Sequence, residues 1–571
     1  MNNTVVGSGL QDAASPSLPV SAFAAAGLGA AFHVASLNFE LDQHGWRLIG
    51  GFYFSLFSAI VAAAYYLDDG ILSALVQVIP LAAAALAGLF TSIAIKRLFL
   101  SPLRNFPGPW QAHLSKFYHW YLESKNMQLF AEIQKLHEKH GDFVRTGPRE
   151  ISILRPSAIP LIYGGKSPCK KATWYRQTQY DDDTDSLLSI VDIKKHNLRR
   201  RIYDRGFSTK ALNSYEPRVQ SKVSTLLEKL TGFDEKPVNV TEWMSYFSFD
   251  IMGDVIYSKE YNMLRAGNGK IQASGIETTL SKLHDGMKML GLVGTTPWIL
   301  RMLSQAGISG DYGVMQEWCR AAMREKQAAW QTGTTPTDTA SYLLKDFLDD
   351  RASTQQNQKS ILQDSILLII AGSDTTTSAA VNALYYLTRH PAVYSKLQAL
   401  ADAAFPGGAA SVTHDRARER IALLDDIANE TMRLKPPACE GLVRETPPEG
   451  LTVDGVFIPG GTIVSVPTWA VQRDGRYWEE PNEWKPERWE GVNPNEEGLA
   501  FLPFSKGIFS CPGKTLAYME LRLLLTRIAL TFDIEFAPGE DGVKFDTHPM
   551  DTFTLLNEPL KLVFKQRKSR A

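Results

Sequence analysis

Two long segments near the amino terminus contain only uncharged and mostly apolar residues. Leu48 to Leu67 has no charged side chain, and Ile71 to Ile95 is interrupted mainly by Gln77 and Pro80. A helix of about 20 residues is enough to span the hydrocarbon core of a bilayer. The pattern therefore predicts two transmembrane helices. A weaker apolar segment, residues 18–39, is a candidate for a third.

The charges beside these segments predict their orientation. The acidic pair Asp68 and Asp69 lies between them, whereas Lys96 and Arg97 follow the second segment. Basic residues are enriched on the cytosolic side of membrane proteins. We therefore predict that residues 1–100 form a membrane anchor with a lumenal acidic loop, and that the rest of the chain faces the cytosol.

A proline-rich segment follows the predicted anchor. Residues 101–110 contain Pro102, Pro107 and Pro109. Proline lacks an N–H donor and disfavours helical conformation in the residue before it. The segment is therefore predicted to be a stiff, extended hinge that leads into a single cytosolic domain of residues 111–571.

Helical patterns dominate that domain. Residues 129–139 and 219–230 repeat apolar positions at three-to-four spacing, which is typical of amphipathic helices. Short β patterns bounded by turn residues occur near residues 143–154 and 451–466. The prediction is a mainly α protein with a small β-rich part.

Composition excludes some classes of function. The 60 basic and 61 acidic residues give a formal net charge of -1, which argues against a nucleic-acid binder. The cysteines form no CxxC pair, so neither a zinc site nor a disulfide scaffold is predicted. Isolated cysteines are most often small buried hydrophobic residues, and that is the expectation for three of the four. The four are Cys169, Cys319, Cys439 and Cys511.

Cys511 has a distinctive setting. Gly507 and Gly513 flank it in the sequence Phe-Ser-Lys-Gly-Ile-Phe-Ser-Cys-Pro-Gly, which begins at Phe504, and a helical pattern follows. Glycine allows a tight turn beside a flat macrocycle, and the amino terminus of a helix stabilises a thiolate. The pattern therefore favours a haem-ligating cysteine; a cysteine buried in an ordinary loop is the alternative.

A second motif interrupts a helix. Residues 361–386 are apolar on nearly every face, which indicates a buried helix, yet Gly372, Asp374 and Thr375 lie at its middle. A buried carboxylate is costly, and local rules broken inside a core element often mark a functional site. Asp374 and Thr375 are candidates for passing protons to bound dioxygen. A satisfied polar pair that bends a structural helix is the alternative.

Two further groups of residues suggest ionic contacts. Glu430 and Arg433 share one helix face, and Arg488 follows in a Pro-Glu-Arg-Trp sequence, so a Glu with two Arg partners could form a rigid clamp. The cluster that contains His196 and Arg200 is either a solvated face or a binding site for the carboxylates of a cofactor.

Together these motifs resemble those of the cytochromes P450, in the same order over residues 107–532. The matching elements are the proline-rich hinge, His196 with Arg200, Asp374 with Thr375, Glu430 with Arg433, Arg488 and the Cys511 loop. The resemblance implies the family fold, in which haem b lies between the oxygen-binding helix and the cysteine loop.

The resemblance also implies roles for these residues. Cys511 is the axial thiolate of the haem iron, and Asp374 and Thr375 deliver protons. Glu430, Arg433 and Arg488 form a structural clamp. The residues implied in cofactor binding are Arg200, Arg444, Phe504, Gly507 and Gly513.

The resemblance also implies the partners and the location of the chain. The chain has no nucleotide or flavin fingerprint, so NADPH is expected to act through a separate NADPH–cytochrome P450 reductase. The implied location is the endoplasmic reticulum membrane. The candidate contacts for a hydrophobic substrate are Ile370, Ala371, Cys439, Glu440, Leu442 and Phe553.

The implied activity is insertion of one oxygen atom from dioxygen into a hydrophobic small molecule. A narrower resemblance to filamentous-fungal microsomal members suggests a secondary metabolite, such as an alkaloid, terpenoid or polyketide. The alternatives are a xenobiotic or fatty-acid hydroxylase, a haem-thiolate isomerase or dehydratase that does not use dioxygen, and a catalytically silent haem sensor or scaffold.

One position departs from the family pattern. The residue two before the cysteine is usually Arg or His and binds a haem propionate, but here it is Phe509. One propionate partner is therefore expected to be missing or to come from elsewhere in the chain.

Overall fold

The computed structural model describes residues 18–37, 39, 41–67, 70–178, 184–273, 275–307, 310–349 and 357–567. The chain divides into two compact units, Met1–Arg104 and Asn105–Ala571. Each unit has its own architecture.

In its described residues the first unit contains three α-helices, α1 (Leu18–Ser36), α2 (Gly45–Leu67) and α3 (Gly70–Leu98), and a short 3-10 helix, Leu41–His44. Two of them, α2 and α3, are long and apolar enough to cross a membrane, whereas α1 has a shorter apolar stretch. The predicted spans thus lie on these two helices. The predicted acidic loop, Asp68 and Asp69, lies outside the described residues.

Helix α1 packs closely against α3 through small residues. A Cβ at Gly29 would lie 1.9 Å from the carbonyl oxygen of Ala85, and a Cβ at Gly88 would lie 2.0 Å from that of Ala26. Such contacts between backbones are typical of helices that associate in membranes. His33 Nδ1 and Ser92 Oγ, 2.8 Å apart, add a polar contact between the two helices.

The second unit is mainly helical. Its α-helices are α4 (Trp110–Leu114), α5 (Phe117–Asn126), α6 (Leu129–His140), α7 (Ala158–Tyr163), α8 (Ile193–Gly206), α9 (Thr209–Gly232), α10 (Val240–Tyr257), α11 (Met263–Ala266), α12 (Leu280–Gly294), α13 (Pro297–Gln305), α14 (Gly310–Ala328), α15 (Thr339–Leu344), α16 (Gln358–Arg389), α17 (Pro391–Ala404), α18 (His414–Arg420), α19 (Leu423–Leu434), α20 (Thr468–Val471), α21 (Lys514–Thr531) and α22 (Val543–Thr547).

Small sheets accompany these helices. The strands are β1 (Phe143–Gly147), β2 (Glu150–Ile153), β3 (Lys170–Lys171), β4 (Val238–Asn239), β5 (Lys270–Ala273), β6 (Ile276–Thr279), β7 (Arg444–Glu445), β8 (Leu451–Val453), β9 (Val456–Ile458), β10 (Ile463–Ser465), β11 (Phe532–Phe536), β12 (Met550–Asp551), β13 (Leu555–Leu556) and β14 (Lys561–Gln566). The largest sheet has the order β1-β2-β10-β7-β3, and β11-β14-β4 form another. The strand pairs β5-β6, β8-β9 and β12-β13 stand apart from these two sheets. The predicted mainly α fold with a small β-rich part is confirmed.

Side-chain caps begin the helices that matter most for the cavity described below. Asp192 precedes α8 and accepts a hydrogen bond from the Lys195 amide, and Asn357 does the same for Ser360 at the start of α16. Such caps satisfy amide groups that have no partner within the helix.

The expected extended hinge is wrong in one respect. The segment after α3 forms turns, with the Arg104 amide bonded to the Ser101 carbonyl and the Leu103 amide bonded to Ser101 Oγ. The serine offers acceptors that a sequence of prolines does not reveal, and the chain folds back on itself around them.

A buried ion pair joins α8 to the long helix α16. Arg199 and Asp364 contact each other with side chains that are 3% and 0% exposed, and Asp364 also accepts the Leu187 amide at 2.9 Å. This pair ties the segment before α8 to the core.

We expect Asp364→Ala to lower the free energy of unfolding by about 4 kcal/mol, because it leaves the Arg199 guanidinium buried without a counter-charge. Urea unfolding followed by tryptophan fluorescence measures the effect. The control is Asp285→Ala, which removes an exposed partner of Lys288 and should change stability by no more than about 0.5 kcal/mol. Equal losses in the two variants would contradict the importance of the buried pair.

Candidate active site

A cavity of about 470 Å³ lies inside the second unit. Its wall combines residues that are far apart in the sequence: α16, the Cys511 loop, the start of α21, and the segment between α19 and β7. The cavity brings together Cys511, Thr375 and all of the predicted substrate contacts, which are Ile370, Ala371, Cys439, Glu440, Leu442 and Phe553.

Cys511 is the accessible thiol of the four cysteines, whereas Cys169, Cys319 and Cys439 are buried. Its accessible surface faces the cavity. The Cys511 amide donates to the Phe504 carbonyl at 2.9 Å, which closes the loop. Burial raises the pKa of the thiol, while hydrogen bonds from the backbone N–H groups of Gly513 and Lys514 act in the opposite direction.

The glycines of this loop have different roles. A Cβ at Gly507, whose φ is +66°, would lie 2.3 Å from the Tyr163 carbonyl oxygen, so this glycine permits close packing against the end of α7. The sequence predicted a tight turn beside a flat macrocycle at this glycine, but Gly507 does not line the cavity. Gly513 does line it, and a Cβ there would lie 3.8 Å from Cys511 Sγ, an ordinary contact.

Phe504 lines the cavity as well. Its ring packs 5.5 Å from that of Tyr518, on the helix that follows the cysteine. This contact fixes the start of the loop against α21.

The polar motif of α16 is divided between two environments. Thr375 lines the cavity and its hydroxyl donates to the Ala371 carbonyl at 2.6 Å. Asp374 instead meets α12, where its Oδ1 lies 3.6 Å from His284 Nε2. Helix α16 continues through the motif. Gly372 makes room for Met252, whose Cε would be 2.1 Å from an added Cβ.

Several basic side chains converge on one part of the wall. Arg200 and Arg444, both predicted, are joined there by Lys171 and His196. Burial lowers the pKa of Lys171 well below its ordinary value, and the charges of Arg444 and Arg200 lower it further. Burial and the charge of Lys171 likewise lower the pKa of His196 to about 3.

Phe509 lies at the centre of this basic group. Lys171 Nζ and the Arg444 guanidinium are each 4.9 Å from the centroid of its ring, and the His196 ring packs edge-on at 4.6 Å. Phe509 thus positions cations through its ring instead of supplying one. Sequence reasoning missed Lys171, since a buried lysine on a two-residue strand has no local signal.

The predicted clamp residues meet around Glu430. Arg433 donates to both carboxylate oxygens at 2.8 Å, and Arg488 Nε donates at 2.9 Å. Trp489 Nε1 and the Lys485 amide, each at 2.9 Å, complete the network. The carboxylate is fully buried and has five donors, so its charge is well compensated.

Acidic residues line another part of the same cavity. Glu440 and Asp551 both line it, and the Cys439 thiol donates to Asp551 Oδ2 at 3.1 Å. Burial and the charge of Asp551 raise the pKa of Glu440 to about 8. Phe553 has a φ of +74° and stacks on Trp174, with the ring centroids 5.6 Å apart. Sequence reasoning identified Glu440 but not Asp551, although Asp551 lies only two residues before Phe553.

Comparison with known proteins gives a consistent result. The family model described as cytochrome P450 matches residues 107–564. The chain is 37% identical over 485 residues to cytochrome P450 monooxygenase orf5 of Eupenicillium brefeldianum, covering 84% of this chain and 95% of that protein. It is 32% identical to tryprostatin B 6-hydroxylase of Aspergillus fumigatus, covering 85% of each chain.

Among solved structures, the haem domain of cytochrome P450DA superposes with a TM-score of 0.65 at 19% identity. The superposition covers 81% of this chain and 98% of that domain. At this identity the likeness concerns the fold alone.

We expect Arg488→Ala to lower the free energy of unfolding by about 2 kcal/mol, because it removes a charge-assisted donor from the buried Glu430 carboxylate. Thermal and urea unfolding of the purified protein measure the loss. The neighbouring Glu487→Ala removes an exposed side chain and is expected to be nearly neutral. A neutral Arg488→Ala would indicate that the remaining donors, from Arg433, Trp489 and Lys485, are enough to satisfy the carboxylate.

Proposed function

Because this chain belongs to the cytochrome P450 family, we propose that Cys511 holds a haem b whose chemistry inserts one oxygen atom from dioxygen into a hydrophobic secondary metabolite. The chain is a monooxygenase, as its relatives from fungi are named. The observation that carries the assignment of the ligand is the accessible Cys511 thiol on the wall of a cavity that Thr375 also lines.

The residues around the cavity fit a haem with two carboxylate groups. Lys171, Arg200 and Arg444 face one region, where Lys171 donates to the carbonyls of Leu187 and Leu188 and forms no ion pair with a described acidic residue. In the part of the chain that the structure describes, the buried Arg444 Nε has no hydrogen-bond partner. A concentration of buried positive charge without buried acid partners favours a dianionic ligand.

Lys171 supplies the cation that Phe509 cannot. Its ammonium group lies over the Phe509 ring, so it occupies the neighbourhood in which the family pattern places an Arg or His. We propose that Lys171, with Arg200 and Arg444, binds the propionates.

The groups of the chain have separate tasks in the reaction. When bound, the haem supplies the activation of dioxygen and the transfer of one oxygen atom to the substrate. The Cys511 thiolate is stabilised by the amides of Gly513 and Lys514. The Thr375 hydroxyl donates a hydrogen bond to the Ala371 carbonyl. The lone pairs of the hydroxyl oxygen therefore remain free to accept a hydrogen bond from a water in the cavity.

Asp374 completes the proposed proton path. Its carboxylate does not line the cavity but contacts His284 on α12. We propose that Asp374 takes up protons on the side of α16 that faces α12. The protons then reach the cavity through water and the Thr375 hydroxyl. Glu430, Arg433 and Arg488 maintain the fold without contacting the substrate.

The electrons must come from a partner. We propose NADPH–cytochrome P450 reductase, since the family uses a redox partner and the chain carries no flavin or nucleotide fingerprint. We also propose that α2 and α3 anchor the chain in the endoplasmic reticulum membrane with the catalytic unit in the cytosol. The basic residues in the last turn of α3, Lys96 and Arg97, support this orientation.

The apolar part of the cavity wall supports a hydrophobic substrate. Ile370, Leu442 and Phe553 contribute to it. One relative is named for hydroxylation of tryprostatin B, and we propose a fungal secondary metabolite as the substrate of this chain as well.

The central test uses the full-length protein with a reductase and NADPH. We expect the reduced, CO-bound wild type to show the thiolate-specific Soret band and to oxidise substrates from a panel of fungal metabolites, as detected by mass spectrometry. Cys511→Ala should lose the band and the activity, because no other accessible thiol lines the described part of the cavity.

The control for this test is Cys169→Ala, which removes a buried thiol and should retain both properties. A thiolate band in Cys511→Ala would overturn the ligand assignment. Product formation without NADPH or dioxygen would instead indicate an isomerase or dehydratase.

We expect Lys171→Gln to accelerate transfer of haem to excess apomyoglobin roughly tenfold, because it removes one charge-assisted hydrogen bond to a propionate. Absorbance at the Soret band follows the transfer. The adjacent Lys170→Gln changes a half-exposed side chain paired with Glu445 and should leave the rate unchanged. Equal rates in all three proteins would exclude Lys171 from haem binding.

A further inference from the structure

The acidic part of the cavity wall suggests what kind of substrate the enzyme accepts. Glu440 and Asp551 line the cavity, and Glu123 and Glu150 are close enough to influence the ionisation of Glu440 and its neighbours. We refer to these four residues as the acidic cluster.

The charges of the acidic cluster are not balanced. Lys116 forms an ion pair with Glu150, and among the described residues no other basic side chain forms an ion pair with the cluster. Lys116 also contacts His119, which burial keeps neutral by lowering its pKa well below the ordinary value. Glu123, Glu440 and Asp551 therefore have no basic side chain paired with them among the described residues.

Neighbouring contacts show that this arrangement is incomplete. Glu123 is 1% exposed, yet among the described residues its Oε1, a hydrogen-bond acceptor, has no partner. Buried polar atoms without partners are rare in folded proteins, and they are satisfied when a ligand or water occupies the site.

The position of Glu440 and Asp551 on one cavity wall has the same implication. Two neighbouring carboxyl groups repel each other when both are ionised. Burial raises the pKa of both groups and of Glu123. A positively charged ligand group would favour the ionised form of both carboxyl groups.

We propose that the acidic cluster binds a cationic nitrogen, an ammonium group, of an otherwise apolar substrate, with Glu440 and Asp551 as the contacting carboxylates. The proposal rests on the proposed function, because it assigns the substrate class of the same cavity. It identifies Glu440 as a specificity-determining residue that acts apart from the thiolate and the proton path.

Glu440 is the sharper of the two positions to change. Asp551 also accepts the Phe553 amide at 3.1 Å and so supports the turn at Phe553. Among the described contacts Glu440 has no comparable bond to the backbone. Glu440→Gln keeps the size and shape of the side chain and removes its capacity to carry a negative charge.

The test measures binding to purified full-length holoenzyme by equilibrium dialysis in one detergent. The cationic probe is trimethyl(3-phenylpropyl)ammonium, which cannot ligate iron because its nitrogen has no lone pair. The neutral probe is (4,4-dimethylpentyl)benzene, which has the same shape. Comparing variants under identical conditions cancels the partition of each probe into detergent.

We expect the cationic probe to bind about tenfold more weakly to Glu440→Gln than to the wild type, and the neutral probe to bind both within about twofold. The exposed Glu449→Gln should match the wild type with both probes. A cationic probe that binds wild type and Glu440→Gln equally would overturn the proposal. Tighter binding of neutral 3-phenylpropane-1,2-diol than of the cation would also overturn it, in favour of recognition of hydroxyl groups.

The CO spectrum of each sample separates this proposal from the proposed function. A normal thiolate band in Glu440→Gln, together with unchanged affinity for the cation, would refute the amine assignment alone. Absence of the band from the wild type would refute the haem-thiolate assignment, whatever the dialysis shows.

Discussion

The cost of burying charge governs the whole catalytic unit. An ion inside protein must be met by an opposite charge or by several hydrogen bonds, or it is neutralised. Two buried carboxylates of the catalytic unit meet that requirement within the chain. Glu430 receives five donors from the protein itself, and Asp364 has Arg199 and the Leu187 amide. Such closed networks hold helices in place and leave nothing for a ligand to satisfy.

The open networks differ because their missing partner lies outside the chain. Lys171 and Arg444 face the cavity, and Arg444 Nε has no partner among the described residues, while Glu440 and Asp551 face it without an ion pair to any described basic side chain. One site has excess positive charge and the other has excess negative charge. The same physical rule therefore distinguishes structural ion pairs from ligand sites, and it does so without reference to the family.

The sequence revealed most where a function depends on neighbouring residues. The Cys511 loop, the Asp374–Thr375 motif and the Glu430–Arg433 pair each lie within one short segment, and the structure places them on the elements that their patterns predicted. Lys171 and Asp551 had no such signal, since the residues that they contact at the cavity lie far away in the sequence. The structure also gives two predicted features a different physical basis. Gly507 accommodates the backbone at the end of α7, and Ser101 forms a turn where an extended hinge was expected.

The opposite signs of the two open sites impose an order on ligand binding. The carboxylates of a haem would neutralise Lys171, Arg200 and Arg444, and they would be repelled by the acidic cluster. With the cofactor bound, the acidic cluster would remain as a group of carboxyl side chains without an ion pair of their own beyond that of Glu150. A cationic substrate entering afterwards would be oriented by it, because electrostatic attraction is strong where water is excluded. We therefore propose that the charge distribution of the protein directs the carboxylates of haem and a cationic substrate to different parts of one cavity. Phe509 contributes by holding Lys171 and Arg444 against its ring.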